Sequence, residues 1–167
     1  INDAKEGGAD AVKFQSYKAE TLASKHSPAY WDTTKETTKS QFDLFKKHDK
    51  FWKKEMEKLM SYCKTIDIEF MSTPFDFESA RFLNDMMDVF KISSSDITNK
   101  PFIDYISNFN KPIILSTGAS NLIEIQSAVN WINKFNISLS LLHCVLNYPT
   151  KVEDANLNRI KMLNCII

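Results

Sequence analysis

With 167 residues, 43% of them hydrophobic, the chain is long enough for one domain with a real core. Its 21 basic and 21 acidic residues cancel, which leaves no electrostatic footprint for nucleic acid or an anionic membrane, so any anion site must be local. No apolar run approaches the roughly 20 residues that span a bilayer, and no signal-peptide pattern opens the chain, so a soluble, cytoplasmic protein is expected.

The chain starts at Ile1 rather than Met and enters a helix-like Asp3-Ala4-Lys5-Glu6, which Gly7 and Gly8 break. Ala9 to Phe14 reads as a covered strand ending Lys13-Phe14-Gln15. Alternation puts Lys13 and Gln15 on one face and Phe14 on the other. From Ser16 to Lys50 the sequence is polar, with Pro28, Tyr30 and Trp31, and predicts a long, partly ordered excursion at one mouth of the fold. His26 and His48 lie there without partners at metal-ligand spacing, as surface histidines do. Trp52, Met56, Leu59, Met60 and Cys63 recur at helical spacing. Three cysteines, Cys63, Cys144 and Cys165, are too far apart and odd in number for a disulfide framework or a zinc knuckle, and read as reduced thiols.

Ile68 to Met71 is the next strand, ending in Ser72-Thr73-Pro74, after which Asp76 is placed to cap a helix carrying Ala80, Leu83 and Met87. Val89 to Ile92 is a short buried strand with Lys91 in its apolar run, opening into Ser93-Ser94-Ser95-Asp96. An ammonium taken out of water costs several kcal/mol or loses its proton. Lys91 therefore either snorkels to solvent from the strand end or faces a bound anion. Asn99 and Pro101 open a helix with Phe102, Ile103, Ile106 and Phe109 inward. Pro112 to Leu115 follows as a strand closing in Ser116-Thr117-Gly118, and Ser120 begins a helix with Leu122, Ile125, Val129 and Ile132 inward. Ser138 to Leu142 is the last strand, running into His143-Cys144 and a loop with Asn147-Tyr148-Pro149-Thr150. Asn156 to Leu163 reads as a helix, and Cys165-Ile166-Ile167 as the entry to another strand. Both ends look cut, as in a fragment of a longer protein.

Strands and helices alternate at βαβ intervals, which predicts an α/β fold with a parallel sheet. Polar groups close every strand, and Gly7, Gly8 and Gly118 make no dinucleotide fingerprint, so an incomplete (β/α)8 TIM barrel is favoured over a doubly wound sheet. The strand-end residues Lys13, Gln15, Ser72, Thr73, Lys91, Ser94, Asp96, Ser116, Thr117 and Tyr148 collect at one rim. Two lysines with hydroxyls and free amides suit a phosphate, a carboxylate, or a ligand carrying both.

Five stretches carry a resemblance: Gly8-Ala9-Asp10-Ala11-Val12-Lys13-Phe14-Gln15, Met71-Ser72-Thr73-Pro74-Phe75-Asp76, Phe90-Lys91-Ile92-Ser93-Ser94-Ser95-Asp96, Leu115-Ser116-Thr117-Gly118 and Leu142-His143-Cys144-Val145-Leu146-Asn147-Tyr148-Pro149-Thr150. In that order the chain resembles the N-acetylneuraminate (sialic acid) synthase family, which includes legionaminic and pseudaminic acid synthases and spore-coat polysaccharide proteins. The resemblance implies a barrel enzyme joining phosphoenolpyruvate to an N-acetylated hexosamine, such as N-acetylmannosamine or a diacetamido sugar, to give a nine-carbon 2-keto acid and phosphate. It implies that Lys13, Gln15, Thr73, Lys91, Ser94 and Ser116 form the phosphoenolpyruvate pocket, that Asp96 and Tyr148 face the sugar, and that Lys13, Lys91 and Asp96 do the catalytic work. It also implies Mn²⁺ or Mg²⁺ held by ligands outside this chain, a homodimer when full length, and no nucleic-acid or membrane partner.

By the same resemblance, residues 1–167 are part of the barrel domain. The family's first strand would precede Ile1, while its last strands, a Gly-Tyr-Ser-Asp-His stretch and an antifreeze-like domain would follow Ile167. Leu146 departs from the family's usual Ser, Thr or Asn and removes a phosphate contact there. None of the three histidines matches a metal-ligand position, and His143 reads as packing at a strand end. Two other readings stand beside the synthase: a Schiff-base aldolase with Lys91 as nucleophile, and a non-catalytic barrel that binds an anionic sugar acid.

Overall fold

Short apolar runs set between amphipathic segments give alternating strands and helices over residues 1–147 and 149–166, which a computed structural model describes. Two units, Ile1–Met86 and Met87–Ile167, are taken in turn.

In the first unit, α1 (Asn2–Glu6) ends at Gly7, and Gly8 turns the chain at φ +81°, a left-handed conformation that only glycine adopts freely. Then come β1 (Ala11–Ser16), α2 (Ala19–Leu22), α3 (Gln41–His48), α4 (Lys53–Thr65), β2 (Glu69–Pro74) and α5 (Phe77–Leu83). Strands β1 and β2 pair in parallel, with Lys13 opposite Met71 and Gln15 opposite Thr73. On the other face Phe14 stacks on Phe70, with ring centroids 5.7 Å apart. Met56 and Cys63 of α4 and Ala80 and Leu83 of α5 are buried. The Asp76 carboxylate caps α5 by accepting from the Ser79 amide at 2.7 Å. The polar excursion holds more structure than its composition predicts, because α2 and α3 lie within it and Pro28 bridges to Ser40. Ser40 starts α3 by accepting from the Asp43 amide at 3.0 Å, and Phe45 meets Tyr17 edge-on at 5.6 Å.

The second unit runs β3 (Phe90–Ile92), α6 (Lys100–Ser107), β4 (Ile113–Ser116), α7 (Leu122–Asn133), β5 (Leu139–Leu142) and α8 (Arg159–Leu163). Its sheet is parallel in the order β3-β4-β5. Phe90, Ile92, Ile113 and Leu115 pack with Phe102, Ile103, Ile106, Ile125, Val129 and Ile132 as a buried core. Asn99 caps α6 as expected, but α7 is capped by Asn121, which forms a reciprocal box with Glu124, and not by Ser120. Ser120 instead donates to the Thr117 carbonyl at 2.9 Å. Leu122, expected inward, is 46% exposed, because the shifted cap puts it in the first turn on the outer side. Residues 164–166 form a turn rather than the start of a strand.

In both sheets neighbours in sequence are neighbours in space, as in a (β/α)8 barrel and unlike the reversal of a doubly wound sheet. The helix-to-strand turns share one device: Asp67, Asn110 and Asn136 sit at φ 57°, 55° and 52° just before β2, β4 and β5. No helix among the described residues is long and apolar enough to cross a membrane.

Candidate active site

At the carboxyl end of β1, the Lys13 ammonium donates to Thr73 Oγ1 at 3.2 Å. Lys13 is exposed while Thr73 is buried, and partial desolvation of the amine lowers its pKa below the ordinary lysine value. Gln15 is exposed beside Thr73, its register partner, on the same face. Ser72 does not belong to this group. It pairs in register with Phe14, so its side chain lies on the opposite face, where Ser16 and Ser72 hydroxyls meet at 2.9 Å, both fully buried. A cleft of about 310 Å³ bordered by Phe14, Tyr17, Phe51, Met56 and Leu59 reaches only Gln15 among the candidates and is largely hydrocarbon.

In the second unit Lys91 is 7% exposed, which overturns the snorkelling alternative. Its ammonium donates to Ser116 Oγ at 2.6 Å and to the Ile92 carbonyl at 2.7 Å. The geometry follows from register: Lys91 is opposite Ile114, so Ser116, two residues on, shares its face one step toward the strand end. Ser94 opens a tight 3₁₀ turn, Ser94–Asp96, capped by the Ser93 side chain. A Cβ at position 118 would lie 3.4 Å from Ser94 Oγ and 3.0 Å from Cys144 Cβ, so glycine is what lets these chains close together. Asp96 is half-buried; desolvation raises its pKa, against hydrogen bonds from Asn99 and Ser95 that lower it. Thr117 is structural, its Oγ1 donating to the Leu142 carbonyl at 2.9 Å and joining β4 to β5. Tyr148 lies outside the described residues.

Two pairs are thus brought together, Lys13 with Thr73 and Lys91 with Ser116, each a cation held against a hydroxyl at a strand end. Both can present N–H and O–H donors to an anion. The close neighbours Gly118 and Cys144 stand in the stretches that carry the resemblance but not among the candidate site residues, although a glycine directly after a strand end, in a chain with only 3, was a usable signal. The residues present do not fit a metal centre: among the described residues no group of three or more His, Cys, Asp or Glu side chains is placed to hold one. His26 and His48 are exposed, and His143 Nε2 bonds the Ala155 carbonyl at 2.7 Å.

Comparison with known proteins gives a match to the NeuB family over residues 1–166. The N,N'-diacetyllegionaminic acid synthase of Campylobacter jejuni is 40% identical over 170 residues, covering 98% of this chain and 50% of that protein. A spore coat polysaccharide biosynthesis protein of Bacillus subtilis is 33% identical, with 98% of this chain and 44% of that protein covered. The N-acetylneuraminic acid synthetase of Leptospira borgpetersenii serovar Hardjo-bovis, solved in complex with citrate, superposes with a TM-score of 0.84 at 31% identity over 99% of this chain and 54% of that one. The expected α/β fold, a (β/α)8 barrel present in part, agrees with these likenesses. The chain spans about half the length of the curated relatives it matches.

Proposed function

The chain belongs to the NeuB family, and from that premise we propose that the whole protein condenses phosphoenolpyruvate with an N-acetylated hexosamine, N-acetylmannosamine or a diacetamido-dideoxyhexose, to a nine-carbon 2-keto sugar acid and phosphate. Residues 1–167 are then part of its barrel domain. The remaining barrel strands and an antifreeze-like domain lie in the rest of a homodimeric cytoplasmic enzyme. The observation that carries this reading is the buried Lys91 ammonium set on Ser116 at a strand end, in a chain whose curated relatives include an acidic-sugar synthase.

Lys91 and Ser116 bind the substrate's anionic groups together with Ser94, and Lys13, Thr73 and Gln15 supply further donors. Carbon 3 of the enol attacks the sugar aldehyde while positive character develops at carbon 2. Water then adds at carbon 2 and phosphate leaves. Asp96, ionised near the reacting centre, stabilises that positive charge, and Tyr148 faces the sugar. Residues outside this chain would hold Mn²⁺ or Mg²⁺, which would supply a Lewis acid for the aldehyde.

The deciding experiment gives the full-length, metal-loaded protein phosphoenolpyruvate with each amino sugar, and follows phosphate release and product mass. Equimolar phosphate and sugar acid are expected. Tight phosphoenolpyruvate binding with no product would instead favour an anion-binding barrel. The burial of Lys91 would also suit an imine-forming nucleophile. Borohydride with pyruvate is expected to leave Lys91 unmodified, and a reduced adduct there would move the reading to an aldolase.

A further inference from the structure

His143 follows β5 directly and precedes the loop that closes at the 3₁₀ turn Val152–Asp154. Its Nε2 lies 2.7 Å from the Ala155 carbonyl, 12 residues downstream. Because a carbonyl only accepts, Nε2 must carry the proton. The other ring nitrogen, Nδ1, is buried and has no hydrogen-bond partner among the described residues. Nothing in that arrangement is catalytic. One ring N–H ties the two ends of the loop together.

The start of that loop is also the part packed on the candidate site. Cys144, next to His143, is the residue whose Cβ limits position 118, where Ser94 Oγ also comes close. Farther along, Thr150 Oγ1 donates to the Asn147 carbonyl at 2.9 Å. A shift at the His143–Ala155 tie would therefore be passed toward Ser94 through Gly118, which Cys144 and Ser94 both approach.

We propose that His143 is a positioning residue for the condensation, its Nε2–H clamp on the Ala155 carbonyl fixing the loop that begins at Cys144 against the Ser94 wall. The proposal rests on the functional reading above, with the loop on the acceptor-sugar side. No group is transferred and no proton moves during turnover. Holding the loop in one conformation raises the fraction of protein competent to take the sugar, and loss of that fraction weakens apparent affinity in proportion.

The test uses the full-length protein with His143→Leu, which removes the donor, and His143→Gln, whose amide nitrogen reaches about as far as Nε2. In His143→Leu the acceptor-sugar KM is expected to rise about tenfold while the phosphoenolpyruvate KM stays within twofold, and His143→Gln should recover most of the loss. Hydrogen exchange at the Asp154 and Ala155 amides, which close the 3₁₀ turn, should accelerate in His143→Leu only, with β3 and β4 unchanged. This arm needs no activity, so it judges the clamp even if the whole protein makes no sugar acid. Should the leucine variant fail to fold, His143→Asn replaces it, since its shorter amide sits nearer Nδ1 and cannot reach Ala155. Wild-type exchange in the donor-less variant, or a glutamine variant as impaired as leucine, would overturn the proposal.

Discussion

Replacing Lys91 with methionine separates a lysine that serves the ligand from one that serves the fold. The change keeps an unbranched side chain of similar length in a site that is 7% exposed, and removes the ammonium that donates to Ser116 and the Ile92 carbonyl at 2.6 and 2.7 Å. For the fold, two effects oppose each other. Hydrogen bonds from a charged donor contribute about 1.5–3 kcal/mol each, while burying an ammonium costs several kcal/mol. Their near balance leaves an expected stability change within about 2 kcal/mol of zero. For the ligand nothing offsets the loss. A charge about 4 Å from a substrate anion, at the effective dielectric near a protein surface, contributes about 4 kcal/mol. At about 1.4 kcal/mol per decade this is close to a thousandfold in kcat/KM for phosphoenolpyruvate. The assays are phosphate release by the full-length enzyme and thermal unfolding of both proteins. If kcat/KM stays within threefold of wild type, Lys91 is not in the site. If unfolding collapses by many degrees, its role is structural.

Two further outcomes follow from the same neighbourhood. Burial raises the Asp96 pKa above its ordinary value of 3.8, so the native chain holds that proton more tightly than the unfolded chain. Asp96 should thus lower stability as pH rises from about 3.8 through the native pKa, with no further effect above it. Asp96→Asn is expected to remove that slope in denaturant titrations between pH 3 and 7, leave the neutral protein at least as stable, and abolish turnover; an unchanged slope would discard the desolvated carboxylate. Gly118→Ala would bring a methyl 3.0 Å from Cys144 Cβ. About 1–3 kcal/mol of destabilisation is expected, with reduced turnover as Ser94 or Cys144 yields, and a variant with wild-type melting and kinetics would mean that the contact opens freely.

The strands were legible because each buried run is too short for a helix and ends in polar residues, and the Lys91 strand stood out for the cost of its cation. Other features were not legible. Ser72 and Thr73 look equivalent in sequence, yet a period of two sends one hydroxyl to Ser16 and the other to Lys13. α3 was hidden because Phe42, Leu44 and Phe45 are embedded among lysines and threonines, although Ser40 with Asp43 is a readable cap. For α7, Ser120 and Asn121 compete as caps, and the glutamate three residues on decides for Asn121. The Lys91–Ser116 bond depends on register between strands whose partners, such as Lys91 and Ile114, lie 23 residues apart, which no local pattern encodes.

Asp67, Asn110 and Asn136, the left-handed residues ahead of three strands, mark out the end away from the chemistry. Directed evolution can treat the two ends of each strand as separate libraries. Substitutions at these joints would be selected for heat tolerance, and those around Ser94, Ser116 and Thr73 for a new acceptor. Because effects at well-separated positions nearly add, winners from the two screens should recombine without a second round of repair.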